Sequence, residues 1–235
     1  MIDSEIIEGL GRVRNLNLVL GSEKTEVGLK LVVPKEELAF DFEGIRTIEG
    51  KKDRHWGHYR TVRSYQAGQE MRGTRVRNER QVGVVLAADL LQIAEEMKIT
   101  ELIAERGFDV IDFMSLAVAA NVVVEGALPT PHIEDFVGPN SRLYIGAGSR
   151  AVVNIFENHL PCSKPANAMA AALDMSAVDL GKRYKEVAAN NRGLMGWVWA
   201  EGTVEVGDPV GVQLPVDFKG MKRAFWQRPE GYEHP

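Results

Sequence analysis

Cysteine is almost missing from this chain: a single thiol, Cys162, occurs among 235 residues. A lone cysteine makes no intrachain disulfide, so no covalent staple holds the fold. A chain of this length does not require one, because it can bury roughly 70–75% of the surface it exposes when unfolded. One domain with appendages, in a reducing compartment such as the cytoplasm, is the expectation. Long apolar runs are missing too: each is interrupted well before it could span a bilayer. The opening residues lack the basic and apolar regions of an export signal. No membrane role is therefore expected. The chain has no Walker loop, no dinucleotide fingerprint, no Gly-x-Ser-x-Gly elbow and no paired CxxC, and neither internal repeats nor low-complexity blocks.

Excess positive charge is also lacking. The net charge of −5 argues against a general nucleic-acid binder. The charge is uneven, however: residues 46–80 hold ten Lys or Arg against four Asp or Glu, a local +6. Such a segment either faces an anion or forms solvated strand faces and turns.

What is present reads as mainly β with several α-helices. Residues 12–20 and 27–33 are strand-like and joined by the turn-formers Gly21 to Lys24, which predicts a hairpin. Residues 34–38, opening on Pro34, predict a short helical turn. A polar loop follows with Asp53, His55 and His58, whose histidine spacing defines no zinc site by itself. These groups either supply hydrogen bonds and protons to a pocket or fix the loop's shape. Residues 74–82 alternate and run on as a strand through 83–85. An apolar stripe at Leu90, Leu91, Ile93, Ala94 and Met97 predicts an amphipathic helix over 87–98. A shorter helix over 109–117 and a buried strand over 122–126 come next, then strands over 141–146 and 150–156. Helices are expected over 166–175 and 178–189, the second ending near Asn191-Arg192-Gly193. Residues 196–212 read as a pair of short strands with glycine turns, and the tail beyond Pro215 is basic and aromatic.

Cys162 lies between Pro161 and Pro165, which disfavour regular structure around it and place the thiol in a stiff strand-exit loop. His159 and Lys164 flank it, and a nearby cation favours the thiolate, the form that acts as nucleophile or soft-metal ligand. The alternative is a small buried hydrophobe that contains sulfur.

Four features in this order resemble the MOSC family, named for the C-terminal domain of molybdenum-cofactor sulfurase. They are Asp53-x-His55-x-Gly57; Asn121 leading Val122-Val123-Val124 to Gly126; Leu143-Tyr144-Ile145-Gly146 followed by Pro161-Cys162; and Gly193 to Val198 running into Gly202 to Val210 as a closing hairpin. The resemblance spans about residues 45–215, leaving 1–44 as an N-terminal strand hairpin extension and 216–235 as a tail. It implies a MOSC-type β-barrel related to the barrel domain of pyruvate kinase, with Cys162 in its pocket. Two positions depart from the family's habit: Ala120 and His159 stand where arginines are often found. Arg60, Arg63, Arg75, Arg77 and Lys164 are candidate replacements for gripping an anion.

Two chemistries follow from the resemblance. In the first, Cys162 ligates molybdenum of the pterin cofactor, Asp53, His58, Arg60, Arg63, Asn121 and Lys164 help hold that cofactor, and His55 or His159 supplies protons while an N-hydroxylated small molecule is reduced with electrons from a redox partner protein. In the second, Cys162 carries a persulfide taken from a sulfur donor, or lines a ligand pocket without metal. A third reading is a vestigial pocket in a protein acting through an oligomeric interface, such as a homodimer, or through its tail.

Overall fold

The computed structural model describes residues 6–24, 30–61, 74–126, 137–148, 150–189 and 191–215. In chain order its elements are β1 (Ile6–Lys24), β2 (Lys30–Lys35), β3 (Glu37–Asp41), β4 (Gly44–Arg46), β5 (Tyr59–Thr61), β6 (Arg75–Arg77) and β7 (Val82–Leu86). Helices α1 (Ala87–Glu96), α2 (Thr100–Glu105) and α3 (Val110–Val118) follow, then β8 (Val122–Glu125), β9 (Arg142–Ile145) and β10 (Ala151–Asn158). The chain continues through α4 (Ser163–Leu173), α5 (Ala177–Val187), β11 (Leu194–Ala200), β12 (Gly202–Glu205) and β13 (Pro209–Gln213). The tail and residues 62–73 lie outside this description.

Seven strands close a ring in the order β1-β13-β9-β10-β11-β7-β8 and back to β1, with β2 added at the edge of β1. The pairs are antiparallel except β7–β8, which are parallel and joined by the α1–α3 crossover that a parallel pair requires. The closing strand is β1. Its first part pairs with β13, its middle with β8 and its last part with β2. Register shifts between Ile7 and Gly11 and between Val13 and Asn15 bend it from one neighbour to the next, as bulges do. At the bend, a Cβ on Gly126 would strike Cα of Gly11, so the strands cross where neither residue can carry a side chain. The segment expected as an extension outside the barrel thus supplies the strand that completes it.

Two apolar layers share the ring's wall. Leu10, Val13, Leu16, Val84, Val124, Ile155, Val198 and Val212 fill the inside. Val85 and Val123 point the other way, into a layer built from Leu90, Ile93, Phe113, Met114, Met169 and Tyr184 of the helices. The unbroken apolar run Val122-Val123-Val124 is therefore buried on both faces, as parallel strands under helices are. Burying each such side chain contributes about 1.5–3 kcal/mol.

Several local expectations give way to long-range pairing. Residues 34–38 form no helical turn: Pro34 lies in β2 opposite Asn17, on an edge strand where its missing N–H loses no ladder bond, and β3 starts at Glu37. The strand expected over 74–85 breaks at residues 78–81, where Asn78 and Gln81 turn inward to bond other loops. The closing strands form no hairpin with each other. β12 pairs with β3 in a separate three-stranded sheet, whereas β13 returns to the ring. Helix α4 begins at Ser163 rather than Ala166, because Pro165 lies in the first turn, whose N–H groups have no intrahelical acceptor.

Candidate functional site

The loop containing Asp53 is tied to the barrel through one buried carboxylate. The Asp53 side chain has 0% exposure. Its Oδ2 accepts from the Val19 N–H at 2.8 Å and from Asn121 Nδ2 at 3.0 Å. Its Oδ1 accepts from the His55 N–H at 2.8 Å and lies 3.1 Å from His55 Nδ1. A carboxylate only accepts, so this pairing assigns the ring proton of His55 to Nδ1. Asn121 extends the cluster: its Oδ1 accepts from the Gly83 N–H at 2.9 Å, and its Nδ2 also reaches the Asn17 carbonyl at 3.2 Å. The loop, β1, β7 and β8 thus meet at one buried charge whose donors replace its lost water. Asn78 adds a second tie, donating to the carbonyls of His55 at 2.6 Å and Gly57 at 3.0 Å.

Cys162 is exposed and caps α4 in an extended conformation, φ −130° and ψ 169°, with no side-chain capping bond. Its thiol therefore stands at the positive end of a helix, where unpaired N–H groups favour an anion. Beside it runs an open cleft of about 540 Å³ lined by Ser163 and Asn167 of α4 and by Val178, Gly181, Lys182 and Lys185 of α5. Lys164, in the first turn of α4, is exposed. His159 is half-buried, and its N–H donates to the Gly193 carbonyl at 2.7 Å. Behind the thiol lies Tyr184, fully buried on α5. Burial pushes the Tyr184 hydroxyl up to about 12, the Arg192 guanidinium pulls it down, and the Cys162 thiolate pushes it up again. Arg192 is buried as well and donates from Nη2 to the Val118 carbonyl at 2.5 Å.

The structure brings Asp53, His55 and Asn121 together and leaves Cys162 in a different cluster; no hydrogen bond or ion pair joins those three residues to the thiol. His58 is exposed, with Nε2 3.6 Å from Glu43 Oε1. Arg60 lies in β5, and Arg63 falls outside the described residues. Arg75 stacks over Tyr59 at 4.2 Å and Arg77 over Trp197 at 4.9 Å, so aromatic rings hold both guanidinium groups. Among the described residues no cluster of three His, Cys, Asp or Glu side chains could hold a metal ion. No described helix is long and apolar enough to cross a membrane.

Sequence reasoning missed Tyr184, whose hydroxyl feels both Cys162 and Arg192, and Asn17 and Gln81 as buried polar ties. Tyr184 was legible as a buried position, since it follows Leu180 by four residues on one helix face. Arg192 gave one faint signal. It sits before Gly193, whose φ of +89° and contact with the Val84 carbonyl leave no room for a side chain, so the backbone there is fixed against β7.

A ring of mostly antiparallel strands closed through one parallel pair, with an accessible lone thiol at the start of a covering helix, defines a class of cysteine-bearing mixed barrels. Within it, the chain belongs to the MOSC domain family, whose model matches residues 57–211, more than half its length. It is similar to the crystal structure of the YuaD protein from Bacillus subtilis, with a TM-score of 0.65 and 21% identity over 90% of this chain and 97% of that one. A hypothetical protein of known structure gives a TM-score of 0.50 and 15% identity over 92% and 73% of the two chains. YiiM from Escherichia coli gives 0.48 and 16% over 90% and 72%. Among curated proteins, none matches the sequence significantly. The YuaD likeness supports the fold, and covering 90% of this chain it includes strands before residue 57.

Proposed function

We propose that this MOSC protein binds the molybdenum cofactor through Cys162 and reduces N-hydroxylated compounds there. The observation that carries the reading is the exposure of the chain's sole thiol at the start of α4, with no side-chain capping bond to occupy it. The donor set fits the group. A thiolate is a soft ligand suited to molybdenum, and the helix N-terminus with exposed Lys164 suits the anionic part of a pterin phosphate. When bound, the cofactor supplies the two-electron oxygen-atom chemistry that removal of an N–O oxygen needs. The chain's own part is to hold the ligand by sulfur, to seat anionic groups against α4, and to move protons through a nearby imidazole. His159 is closest to the thiol in sequence, and its backbone is pinned to Gly193.

The test is to load the purified full chain with cofactor released from a donor protein and to follow reduction of a simple amidoxime with a chemical reductant. Turnover by wild type and none by Cys162→Ser is expected. Undiminished turnover by Cys162→Ser, or none by a loaded wild type, sinks the reading. A second reading is favoured by the openness of the thiol's surroundings: Leu160 is 69% exposed and Val178 81%. A thiol so placed is reachable by another protein and suits a persulfide carrier. An added sulfur on Cys162 in the intact mass, in molybdenum-free protein, would favour that reading.

A further inference from the structure

Arg14, Arg46, Arg80, Arg106 and Arg150 each pair with a carboxylate. Arg75, Arg77 and Arg142 pair with none among the described residues and lie over aromatic rings instead. Arg75 stacks on Tyr59 at 4.2 Å, Arg77 on Trp197 at 4.9 Å and Arg142 on Trp199 at 4.5 Å. The three stacks belong to one surface. Leu143, Val153 and Val198 fill the barrel, so their strand neighbours Arg142, Asn154, Trp197 and Trp199 face outward. The register sets Arg142 and Trp197 on either side of Asn154. The contact of Arg77 with Trp197 then carries the surface on to β6, where Arg75 shares a face with Arg77 and Tyr59 lies opposite on β5. The surface is open: Tyr59 is 57% and Trp199 47% exposed, and Arg75 and Arg77 are exposed as well.

A guanidinium laid on a ring keeps its in-plane N–H groups for other acceptors, and the ring orders the side chain in advance, so less freedom is lost when an anion arrives. Exposed Trp and Tyr interleaved with Arg are also the residue types that dominate binding energy at protein interfaces. Two carboxylates of the neighbouring strands are already engaged: Glu157 pairs with Arg80, and Glu201 accepts from the Phe42 N–H at 3.3 Å. We propose that this surface docks an acidic segment of another protein, its carboxylates gripped by Arg75, Arg77 and Arg142 and its apolar parts packed on Tyr59 and Trp199. Charge complementarity names the occupant, because the three guanidinium groups lack the carboxylates that the chain's other paired arginines have. A single-stranded nucleic acid would need ring faces on which to stack its bases, and here guanidinium groups lie over those rings. The surface makes no use of Cys162, so this inference stands apart from the reading of the thiol.

The test titrates the full chain with a glutamate peptide of about ten residues and, separately, with an oligothymidylate of matched charge, following tryptophan emission at about 20 and about 200 mM salt. The peptide should bind at low salt and about tenfold more weakly at high salt. Arg142→Gln should weaken it about three- to fivefold and Arg77→Gln with Arg142→Gln about tenfold or more, whereas Arg106→Gln, which removes the same charge beside Asp174, should change it less than about twofold. In the wild type alone, the peptide should shift the indole N–H resonances of Trp197 and Trp199, a readout that needs no variant. Absence of peptide binding, unmoved indole resonances, or an equal loss in Arg106→Gln and Arg142→Gln overturns the proposal. Tighter binding of the oligothymidylate would give the surface to a nucleic acid instead, and self-association of the wild type that Arg142→Gln abolishes would give it to a second copy of the chain; either result also overturns the proposal.

Discussion

The polar cluster around Asp53 and the one around Cys162 sit on the same barrel and differ in one respect, the balance of donors and acceptors. Asp53 is surrounded by donors that use its carboxylate fully, and each of those donors belongs to the protein. The exposed Cys162 sulfur, by contrast, stands at a helix start with no side-chain capping bond. Saturated polar groups give rigidity, whereas unsatisfied ones retain capacity for something that arrives. By this criterion the Asp-x-His segment, although the more conspicuous motif in the sequence, works as a clamp that ties a loop to β1 and β8. Under the proposed function, binding falls to the thiol instead.

The largest expected effect comes from breaking the clamp. Asp53→Ala leaves the Val19 and His55 N–H groups and Asn121 Nδ2 without an acceptor, and should lower stability by about 3–5 kcal/mol in urea unfolding. A loss below about 1 kcal/mol would mean that the loop is held by other contacts.

Next is Gly193→Ala, whose Cβ would strike the Val84 carbonyl at a φ of +89°; a loss of about 2–4 kcal/mol is expected in the same assay. Tyr184 gives a pH signature. Its folded value of about 12 lies above the usual tyrosine value of 10.0, so the folded state keeps a proton that the unfolded state loses between those limits. The associated stability is complete below pH 10 and is lost as pH rises towards 12, about 2–3 kcal/mol in all. Tyr184→Phe should remove this share of the alkaline loss and change neutral stability far less, measured as unfolding free energy against pH.

The smallest expected effect on folding is that of Cys162→Ser, within about 0.5 kcal/mol, since the exposed thiol makes no capping bond. The contrast between Asp53→Ala and Cys162→Ser sharpens the division between support and site.

How much of this was legible depended on how local the cause was. The α1 stripe and the Val122–Val124 run reported their own burial, because periodicity and apolar continuity are properties of a few adjacent residues. The family and the barrel could be read from motif order. The role of β1 in closing the ring could not, because it depends on pairing with β13 some two hundred residues away and on bulges that no local pattern announces. Likewise β12 leaves its sequence neighbours to join β3. Arg192 was hidden for the same reason: after Asn190 and Asn191 it reads as part of a helix end, and only the Val118 carbonyl, 74 residues earlier, turns it into a buried cation.

The most direct measurement is the molybdenum and pterin content per chain of wild type, Cys162→Ser and Asp53→Asn, purified without oxygen from a host that makes the cofactor. Near-stoichiometric cofactor in wild type and in whatever fraction of Asp53→Asn remains folded, with none in Cys162→Ser, is the expected result. Full cofactor retained by Cys162→Ser, or lost from folded Asp53→Asn while Cys162 stays intact, would contradict the assignment of binding to the thiol and support to the clamp.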